Sequence, residues 1–261
     1  DMGEVERLVK EDDKIKGIWC VPKYSNPEGI TYSDDVVRRF ANLECAAPDF
    51  RIFWDNAYFI HDLYPDKNDT LLNLLDELKK TGKEDMAYIF ASTSKISYPG
   101  AGVGVLVSSR KNIARASKQM SAQTIGHDKI NQARHVKFFK NAEGIKAHMA
   151  KHADIMRPKF ETVISTLEKE FENGDIASFT KPLGGYFVSL DLLDGTAKKT
   201  VEMCKNVGVV LTDAGATHPY SVDPRDRNIR IAPSYPSQDE LKKAIDVLCT
   251  CAKIACIEKL I

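Results

Sequence analysis

The sequence predicts an α/β protein with a mostly parallel sheet, followed by a smaller α+β domain. Short apolar runs alternate with amphipathic segments over the first 110 residues, which is the pattern of strands joined by crossover helices. From about residue 127 the pattern becomes helical, and strand-like runs return only near residue 176. These observations predict two domains, residues 1–145 and residues 146–261.

The first domain is expected to contain four strands with two helices between them. Ser33 is the expected N-cap of the first helix, because its hydroxyl can accept a hydrogen bond from the first turn. Gly82 is expected to end the second helix, since glycine readily adopts the left-handed conformation found there. In chain order the predicted elements are a buried strand and turn at 16–29, a helix at 33–48, a strand at 50–58, a helix at 70–82, and strands at 86–94 and 102–109.

The second domain is expected to begin with a long, charged helix over 141–174. Gly174 is expected to end this helix, and Pro158 to kink or interrupt it, because proline lacks the backbone donor. The later predicted elements are strands within 176–182, 184–192, 208–212 and 228–234, a helix near 196–206, and a terminal helix from about residue 237.

Composition narrows the classes of function. The chain has 37 basic and 37 acidic residues, so no general field favours nucleic acid or a membrane surface. No stretch approaches the ~20 apolar residues of a membrane span, and residues 1–17 lack the apolar core of a signal peptide. The six cysteines form no CxxC pair and mostly lie in apolar runs, as in a reduced, cytoplasmic protein. The first residue is not methionine and "EVERLVKED" resembles the middle of a helix, so we expect the chain to begin inside a longer protein.

Two polar stretches are interpreted as structural. "HMAKH" (148–152) has two histidines one helical turn apart, but it lacks the glutamate of the zinc-protease motif. No metal site is therefore expected. "DPRDR" (223–227) is interpreted as a solvated loop.

Polar side chains follow the apolar bodies of the first three predicted strands. The first run ends at Asn26, the second at Asp55 with Tyr58 just beyond it, and the third at Ser92 to Lys95. Ligands of parallel α/β sheets bind outside the carboxyl ends of the strands. We therefore expect these side chains to face one pocket.

An amine and a carboxylate held in one crevice indicate a specific chemistry. A lysine can form a Schiff base with a carbonyl, and a carboxylate can keep a pyridine nitrogen protonated. Pyridoxal 5'-phosphate (PLP) needs both, because its protonated ring is the electron sink for carbanion chemistry. In this interpretation Lys95 and Asp55 supply those two groups, and hydroxyls such as that of Ser92 hold the phosphate.

Four motifs, in order, resemble those of the PLP-dependent fold-type I, class I/II aminotransferases. "SNPEG" (25–29) resembles their NPxG turn, and "DNAY" (55–58) resembles their D-x-A-Y strand. "STSK" (92–95) resembles their lysine motif, and "NIRIAPS" (228–234) the segment that carries the substrate-binding arginine. The residues of these segments are most similar to those of a bacterial subgroup of aspartate-aminotransferase-like enzymes. The resemblance implies that residues 1–145 are the C-terminal part of a PLP-binding large domain and that the rest is a small C-terminal domain.

The resemblance also implies a function for each matching residue. Lys95 would bind the cofactor and then move the substrate proton, and Asp55 would pair with the pyridine nitrogen. Tyr58 and Asn26 would hydrogen-bond the phenolic oxygen of the cofactor, and Asn26 would also bind the substrate. Arg230 would hold the α-carboxylate of the substrate in a bidentate pair that lysine could not copy. Ser92 would contact the phosphate.

The sequence departs from the family pattern in two places. Gly102 stands where most relatives have an arginine on the phosphate, so the phosphate needs other partners, such as Ser94, backbone amides or a residue outside this chain. The family's first part is also absent from these 261 residues. That part normally supplies a glycine-rich phosphate turn, an aromatic that stacks on the ring, and early strands of the sheet.

The leading hypothesis is a cytoplasmic, homodimeric aminotransferase. It would move an amino group from an amino acid, with aspartate as one candidate, to a 2-oxo acid by a ping-pong mechanism. A distal substrate carboxylate would need a second cation, for which Lys129 and Arg134 are candidates. A β-lyase or decarboxylase on the same fold would use the same residues and stays open. The aminotransferase-like sensing domain of a transcription regulator stays open as well, although no helix-turn-helix motif is visible.

Overall fold

The computed structural model describes residues 1–172 and 175–261, which form two compact units. The predicted domain boundary between residues 145 and 146 stays a prediction. Unit 1 consists of Asp1–Lys23, Thr31–Ile60 and Asp69–Met149, and unit 2 of Tyr24–Ile30, His61–Asn68 and the described part of Ala150–Ile261.

A four-stranded sheet lies at the centre of unit 1. Its strands occur in spatial order β1-β2-β3-β4, with parallel pairing from β1 to β3 and antiparallel pairing between β3 and β4. The prediction of a mostly parallel α/β sheet is therefore confirmed, with one antiparallel strand added. The strands are β1 Gly17–Cys20, β2 Arg51–Asp55, β3 Ala87–Ser92 and β4 Gly104–Ser108.

The helices of unit 1 begin and end at the capping residues that the sequence offers. Ser33 accepts a hydrogen bond from the backbone of Val36, as predicted. Asn73 caps the next helix, so that helix begins later than residue 70. Gly82, at φ +67°, follows its C-cap. The helices are α1 Met2–Glu11, α2 Asp34–Asn42, α3 Leu74–Lys80, α4 Arg110–Gln123 and α5 Lys129–Phe139.

Only one face of the unit 1 sheet is buried among the described residues. Ile52 and Trp54 of β2 lie in the core with the apolar sides of α2 and α3. On the other face Trp19 stacks on Phe53 and on Phe90, with ring centroids 5.6 and 5.9 Å apart, and Trp19 is 62% exposed. The prediction of a buried first strand is thus confirmed at Cys20, which is 2% exposed, but not at Trp19, which no described element covers.

Unit 2 contains the long helix α6, a three-stranded antiparallel sheet and two further helices. The sheet order is β5-β6-β7. Ser237 and Glu240 form a capping box at the start of the last helix. The elements are α6 Ala142–Glu170, which begins in unit 1, then β5 Ala177–Phe179, β6 Val188–Leu192, α7 Ala197–Asn206, β7 Asn228–Ile231 and α8 Gln238–Leu260.

Two predictions for this part of the chain are wrong, the first of them in part. The predicted interruption at Pro158 does not occur, since Pro158 lies inside α6; Met156 and Phe160 on either side are buried in the core of unit 2, and a missing donor removes only one helical hydrogen bond. A kink at Pro158 stays a prediction. The strand predicted at 208–212 does not form: Val209 packs against the core, but Val210 is 81% exposed. The predicted helix end at Gly174 lies outside the described residues.

None of the helices in the described ranges has both the length and the apolar content needed to cross a membrane.

Candidate active site

The predicted lysine lies on a tight turn directly after β3. The backbone N–H groups of Ile96 and Ser97 both donate to the carbonyl of Thr93, at 2.9 and 2.7 Å. Lys95 is exposed at the top of this turn, and its Nζ lies 5.1 Å from the centroid of the Tyr58 ring. Lys95 and Tyr58, which follow different strands of the sheet, are therefore neighbours in unit 1.

Asp55 lies at the end of the neighbouring parallel strand. It is the last residue of β2 and pairs in register with Phe90 of β3. The backbone N–H of Asn56 continues this pairing by donating to the carbonyl of Phe90 at 2.8 Å. The carboxylate of Asp55 and the turn that carries Lys95 thus follow adjacent parallel strands, at the edge where ligands of such sheets bind.

Ser92 and Ser94 place two hydroxyl groups beside the lysine turn. Their Oγ atoms lie 2.8 Å apart, and the Ser94 N–H donates to Ser92 Oγ at 3.1 Å. Gly102 lies against the same residues. A Cβ at Gly102 would stand 2.8 Å from the Ser94 backbone nitrogen, closer than such contacts allow. Only a residue without a Cβ therefore fits at position 102 unless one of these two backbone segments moves.

Two histidines that sequence reasoning did not identify contact this turn. His135 of α5 lies within hydrogen-bond distance of Thr93 and Ser97. His148 of "HMAKH" donates from Nε2 to the carbonyl of Ile96 at 2.9 Å. The available sequence signal was weak: His135 lies four residues before Phe139, which is buried beside Ile96.

In unit 2, Arg230 is held by neutral groups. Its Nη1 donates to Asn26 Oδ1 at 2.9 Å, and its Nη2 donates to Thr212 Oγ1 at 3.3 Å. The guanidinium carbon lies 4.7 Å from the centroid of the Phe187 ring. In the described part of the chain no carboxylate pairs with Arg230, and its buried Nε has no hydrogen-bond partner. The positive charge of Arg230 is therefore available for an anion.

Asn26 lies elsewhere than the sequence predicted. β1 ends at Cys20, and Asn26 belongs to a turn in unit 2 that is closed by a 2.6 Å hydrogen bond from the Gly29 N–H to the Ser25 carbonyl. The expected end of the first strand at Asn26 is wrong, because the chain leaves the sheet six residues earlier. The structure brings Asn26 to Arg230, and it groups the other predicted site residues in unit 1.

The segment before β7 is more ordered than predicted. The sequence "DPRDR" predicts a solvated loop, but Asp223 is only 5% exposed. Its carboxylate accepts hydrogen bonds from the backbone of Arg225, Arg227 and Asn228, at 2.8 to 3.0 Å. Burial raises the pKa of Asp223, but these backbone N–H groups outweigh burial and lower the pKa to about 2. Asp223 thereby holds the chain that leads into β7 and Arg230.

The two candidate cations for a distal carboxylate lie on α5. Lys129 is the first residue of this helix. Arg134 lines an open cavity of about 770 Å³ together with Tyr98 and Phe138. Phe138 is 58% exposed, whereas its neighbour Phe139 is buried. The assignment of either cation to a substrate stays a prediction.

Comparison with known proteins places the chain among aminotransferases. The family model described as aspartate amino-transferase matches residues 1–261. A protein of Mycolicibacterium smegmatis, named provisionally as an aminotransferase, is 48% identical over 100% of this chain. The aspartate aminotransferase of Corynebacterium glutamicum is 41% identical over 99% of this chain.

Solved structures that resemble this chain are also those of aminotransferases. The crystal structure of an aspartate transaminase from Corynebacterium glutamicum superposes with a TM-score of 0.96 at 40% identity, covering 99% of this chain and 61% of that protein. A kynurenine aminotransferase from Pyrococcus horikoshii shares the fold, with a TM-score of 0.81 at 21% identity. The chain spans 61% and 59% of the lengths of the two relatives matched by sequence.

Proposed function

This chain belongs to the aspartate amino-transferase family, and on that premise we propose that it is part of a PLP-dependent aminotransferase. The protein would transfer an amino group from an amino acid to a 2-oxo acid. One observation carries the proposal: Lys95 lies 5.1 Å from the Tyr58 ring, on a turn beside the strand that ends in Asp55. An amine, a phenol and a carboxylate at one edge of a parallel sheet are the groups that PLP chemistry requires.

The residues of unit 1 fit the cofactor chemically. When bound, PLP supplies an electron sink for the carbanion at the substrate Cα. The Lys95 amine would attach the cofactor and, once released by the amino acid, would accept the proton from Cα. The Asp55 carboxylate would keep the pyridine nitrogen protonated by its opposite charge. The Tyr58 hydroxyl would hydrogen-bond the phenolic oxygen.

The phosphate would bind without the usual arginine. Ser92 and Ser94 offer two hydroxyl groups that are hydrogen-bonded to each other at 2.8 Å. The hydroxyl that accepts in this pair keeps its own hydrogen for a phosphate oxygen, and both could donate to the phosphate once the bond between them is broken. A Cβ at Gly102 would press on the Ser94 backbone, which supports a site that relies on neutral donors from this chain. Any positive charge that pairs with the phosphate would have to come from residues outside this chain.

The residues of unit 2 fit a substrate carboxylate. Arg230 has no carboxylate partner in the described residues, and its neutral partners leave its charge uncompensated. A guanidinium binds a carboxylate in a bidentate pair, which fixes orientation as well as affinity. Asn26 accepts from Arg230 through Oδ1, so its Nδ2 remains to donate to an oxygen of the substrate or of the cofactor.

The proposal also covers the amino donor, the oligomeric state, the location and the small-molecule partners of the protein. Aspartate as the amino donor is supported by the name of the family and by that of the Corynebacterium glutamicum relative. A homodimer in the cytoplasm, with amino acids and 2-oxo acids as its small-molecule partners, is what the family resemblance implies for the whole protein.

The test uses the full-length protein to which this chain belongs. Purified protein would be loaded with PLP and assayed with a panel of amino acids and 2-oxoglutarate. Lys95→Ala should abolish amino transfer and the visible absorbance of lysine-bound PLP. Lys118→Ala, an exposed lysine on α4, is the matched control and should leave both unchanged.

Borohydride reduction followed by peptide mass spectrometry would identify the lysine that carries PLP. A reduced adduct on another lysine in Lys95→Ala would overturn the assignment of Lys95. Release of ammonia or carbon dioxide without amino transfer would instead favour the β-lyase or decarboxylase reaction.

A further inference from the structure

We propose that His135 of α5 is a positioning residue for Lys95, and that its imidazole holds the shape of the turn that carries the lysine. The inference rests on the proposed function, because it concerns the reactivity of the Lys95 amine. His135 would influence Lys95 indirectly. It acts through Thr93 and Ser97, which flank Lys95 two residues to either side.

The imidazole bridges the two ends of the lysine turn. His135 Nε2 lies 3.1 Å from Thr93 Oγ1 and 2.7 Å from Ser97 Oγ. The backbone of the turn is closed by two hydrogen bonds that converge on one carbonyl, that of Thr93. Ser97 Oγ also lies 3.0 Å from this carbonyl. Without the imidazole, the hydroxyls at the two ends would lose their shared partner.

The hydrogen bonds of His135 define its neutral tautomer. Its Nδ1 lies 2.8 Å from the backbone carbonyl of Asn131. A carbonyl oxygen only accepts, so Nδ1 carries the hydrogen. In the neutral ring Nε2 is then an acceptor, and it receives a hydrogen bond from a hydroxyl of the turn. Both ring nitrogens have partners, which fixes the orientation of the ring between α5 and the turn.

The same face of α5 also holds the glycine-rich bend that follows the lysine. Asn131 Nδ2 donates to the Ala101 carbonyl at 2.7 Å. The Val103 N–H donates to Thr93 Oγ1 at 2.9 Å, so the hydroxyl that meets His135 also ties the bend to the turn. Phe139, one helical turn beyond His135, is buried against Ile96. Helix α5 therefore contacts the lysine turn through polar and apolar groups at four-residue spacing.

This arrangement matters because the Lys95 side chain is long and exposed. Its flexible stem contributes little to the position of the amine, so the turn must set the direction from which the amine approaches the cofactor. A misplacement of about 1 Å in a reacting group can reduce a rate by about 100-fold. A loosened turn should therefore lower kcat more than it changes KM.

The test compares three variants of the full-length protein. His135→Phe keeps the bulk of the ring and removes the hydrogen bonds of both ring nitrogens, whereas His135→Gln keeps a polar group that can reach the two hydroxyls. We expect His135→Phe to lower kcat about 10- to 100-fold with KM within about twofold, and His135→Gln to restore most of the loss. His127→Phe, an exposed histidine in the same unit, is the matched control and should have no effect.

A second measurement does not depend on turnover. Cofactor-free protein would be mixed with pyridoxal and cyanoborohydride, and the rate of modification at Lys95 would be followed by peptide mass spectrometry. We expect His135→Phe to slow this rate in parallel with kcat. Thermal unfolding, followed by circular dichroism, would establish that each variant is folded.

The possible outcomes separate this inference from the proposed function. If kcat and the modification rate of His135→Phe stay within about twofold of wild type, the inference is wrong. If the wild-type protein transfers no amino group, the proposed function fails, but the modification rate at Lys95 still tests the part played by His135. If His135→Phe does not fold, Ser97→Ala removes the shorter contact with Nε2, and an unchanged modification rate in that variant would overturn the inference.

Discussion

Arg230 donates through Nη1 to Oδ1 of Asn26 at 2.9 Å, although the two residues are 204 positions apart in the chain. This contact orients the guanidinium without neutralising it, because the amide oxygen carries no formal charge. It also fixes which end of the Asn26 amide remains free to donate. Two motifs from opposite ends of the sequence thus form one polar pair in unit 2, and that pair is suited to bind a carboxylate.

Removing the charge of Arg230 should weaken substrate binding strongly. In the full-length protein, Arg230→Leu should reduce the free energy of amino acid binding by about 2–5 kcal/mol. This is the usual loss when one partner of a buried, hydrogen-bonded charge pair is removed. Binding of PLP should change little, because Lys95, Asp55 and Tyr58, which would hold most of the cofactor, lie in unit 1. Steady-state kinetics and PLP titration would measure both effects. Arg38→Leu, an exposed arginine on α2, is the control, and equal kcat/KM for the two variants would contradict the assignment.

Adding a side chain at Gly102 should destabilise the protein. The Cβ of Gly102→Ala would stand 2.8 Å from the Ser94 nitrogen, so the lysine turn must move. Overpacking of this kind costs about 1–3 kcal/mol, which urea unfolding would detect. Gly104→Ala is the matched control, because a Cβ at Gly104 meets no atom within 4 Å. Similar stabilities for the two variants would show that the backbone yields easily at Gly102.

Asp223 should make the stability of the protein depend on acid pH. Its pKa is about 2 in the folded protein against an ordinary value of 3.8, so the charged carboxylate favours folding. Its contribution should be complete above about pH 4 and lost as the pH falls through about 2. Asp223→Asn should lower the free energy of unfolding by about 2 kcal/mol at neutral pH. The difference between wild type and variant, measured by urea unfolding, should shrink below pH 4, and a difference that does not change with pH would contradict this explanation.

The isolated chain 1–261 should associate through the aromatic face of its sheet. Trp19, Phe53 and Phe90 form an apolar stack that no described element covers, and surfaces of this kind promote association. Light scattering should show larger particles for chain 1–261 than for its Trp19→Lys variant. Tyr235→Lys, at a residue that is 98% exposed in unit 2, is the control. A monomeric wild-type chain at the same concentration would contradict the prediction.

The isolated chain should also be a poor catalyst. The family resemblance implies that an earlier segment supplies the glycine-rich phosphate turn and a stacking aromatic, and the chain spans 61% and 59% of the two relatives matched by sequence. Titration with PLP beside the full-length protein would test this. Equal PLP affinity and equal turnover for the two proteins would show that the longer protein adds nothing to the site.

The sequence by itself determined the local features of this protein. The alternation of apolar runs and amphipathic segments predicted the mostly parallel sheet, although not its antiparallel fourth strand. Ser33 marked a helix start, and Gly82 followed a helix end, because a cap depends on atoms only a few residues apart. The motifs around Asp55 and Lys95 were visible as polar residues at the ends of apolar runs, since the carboxyl ends of parallel strands share one edge.

Tertiary structure alone decided the contacts between distant side chains. Asn26 lies beyond the first strand and is hydrogen-bonded to Arg230. His135 lies within hydrogen-bond distance of the hydroxyls of Thr93 and Ser97, which are some 40 residues away in the chain. Asp223 became buried because its carboxylate satisfies three backbone donors, which a charged stretch does not reveal. The periodicity of apolar residues predicts which face of a helix or strand is buried. It does not predict which loop comes within 3 Å of which helix, because that distance depends on the packing of all the elements between them.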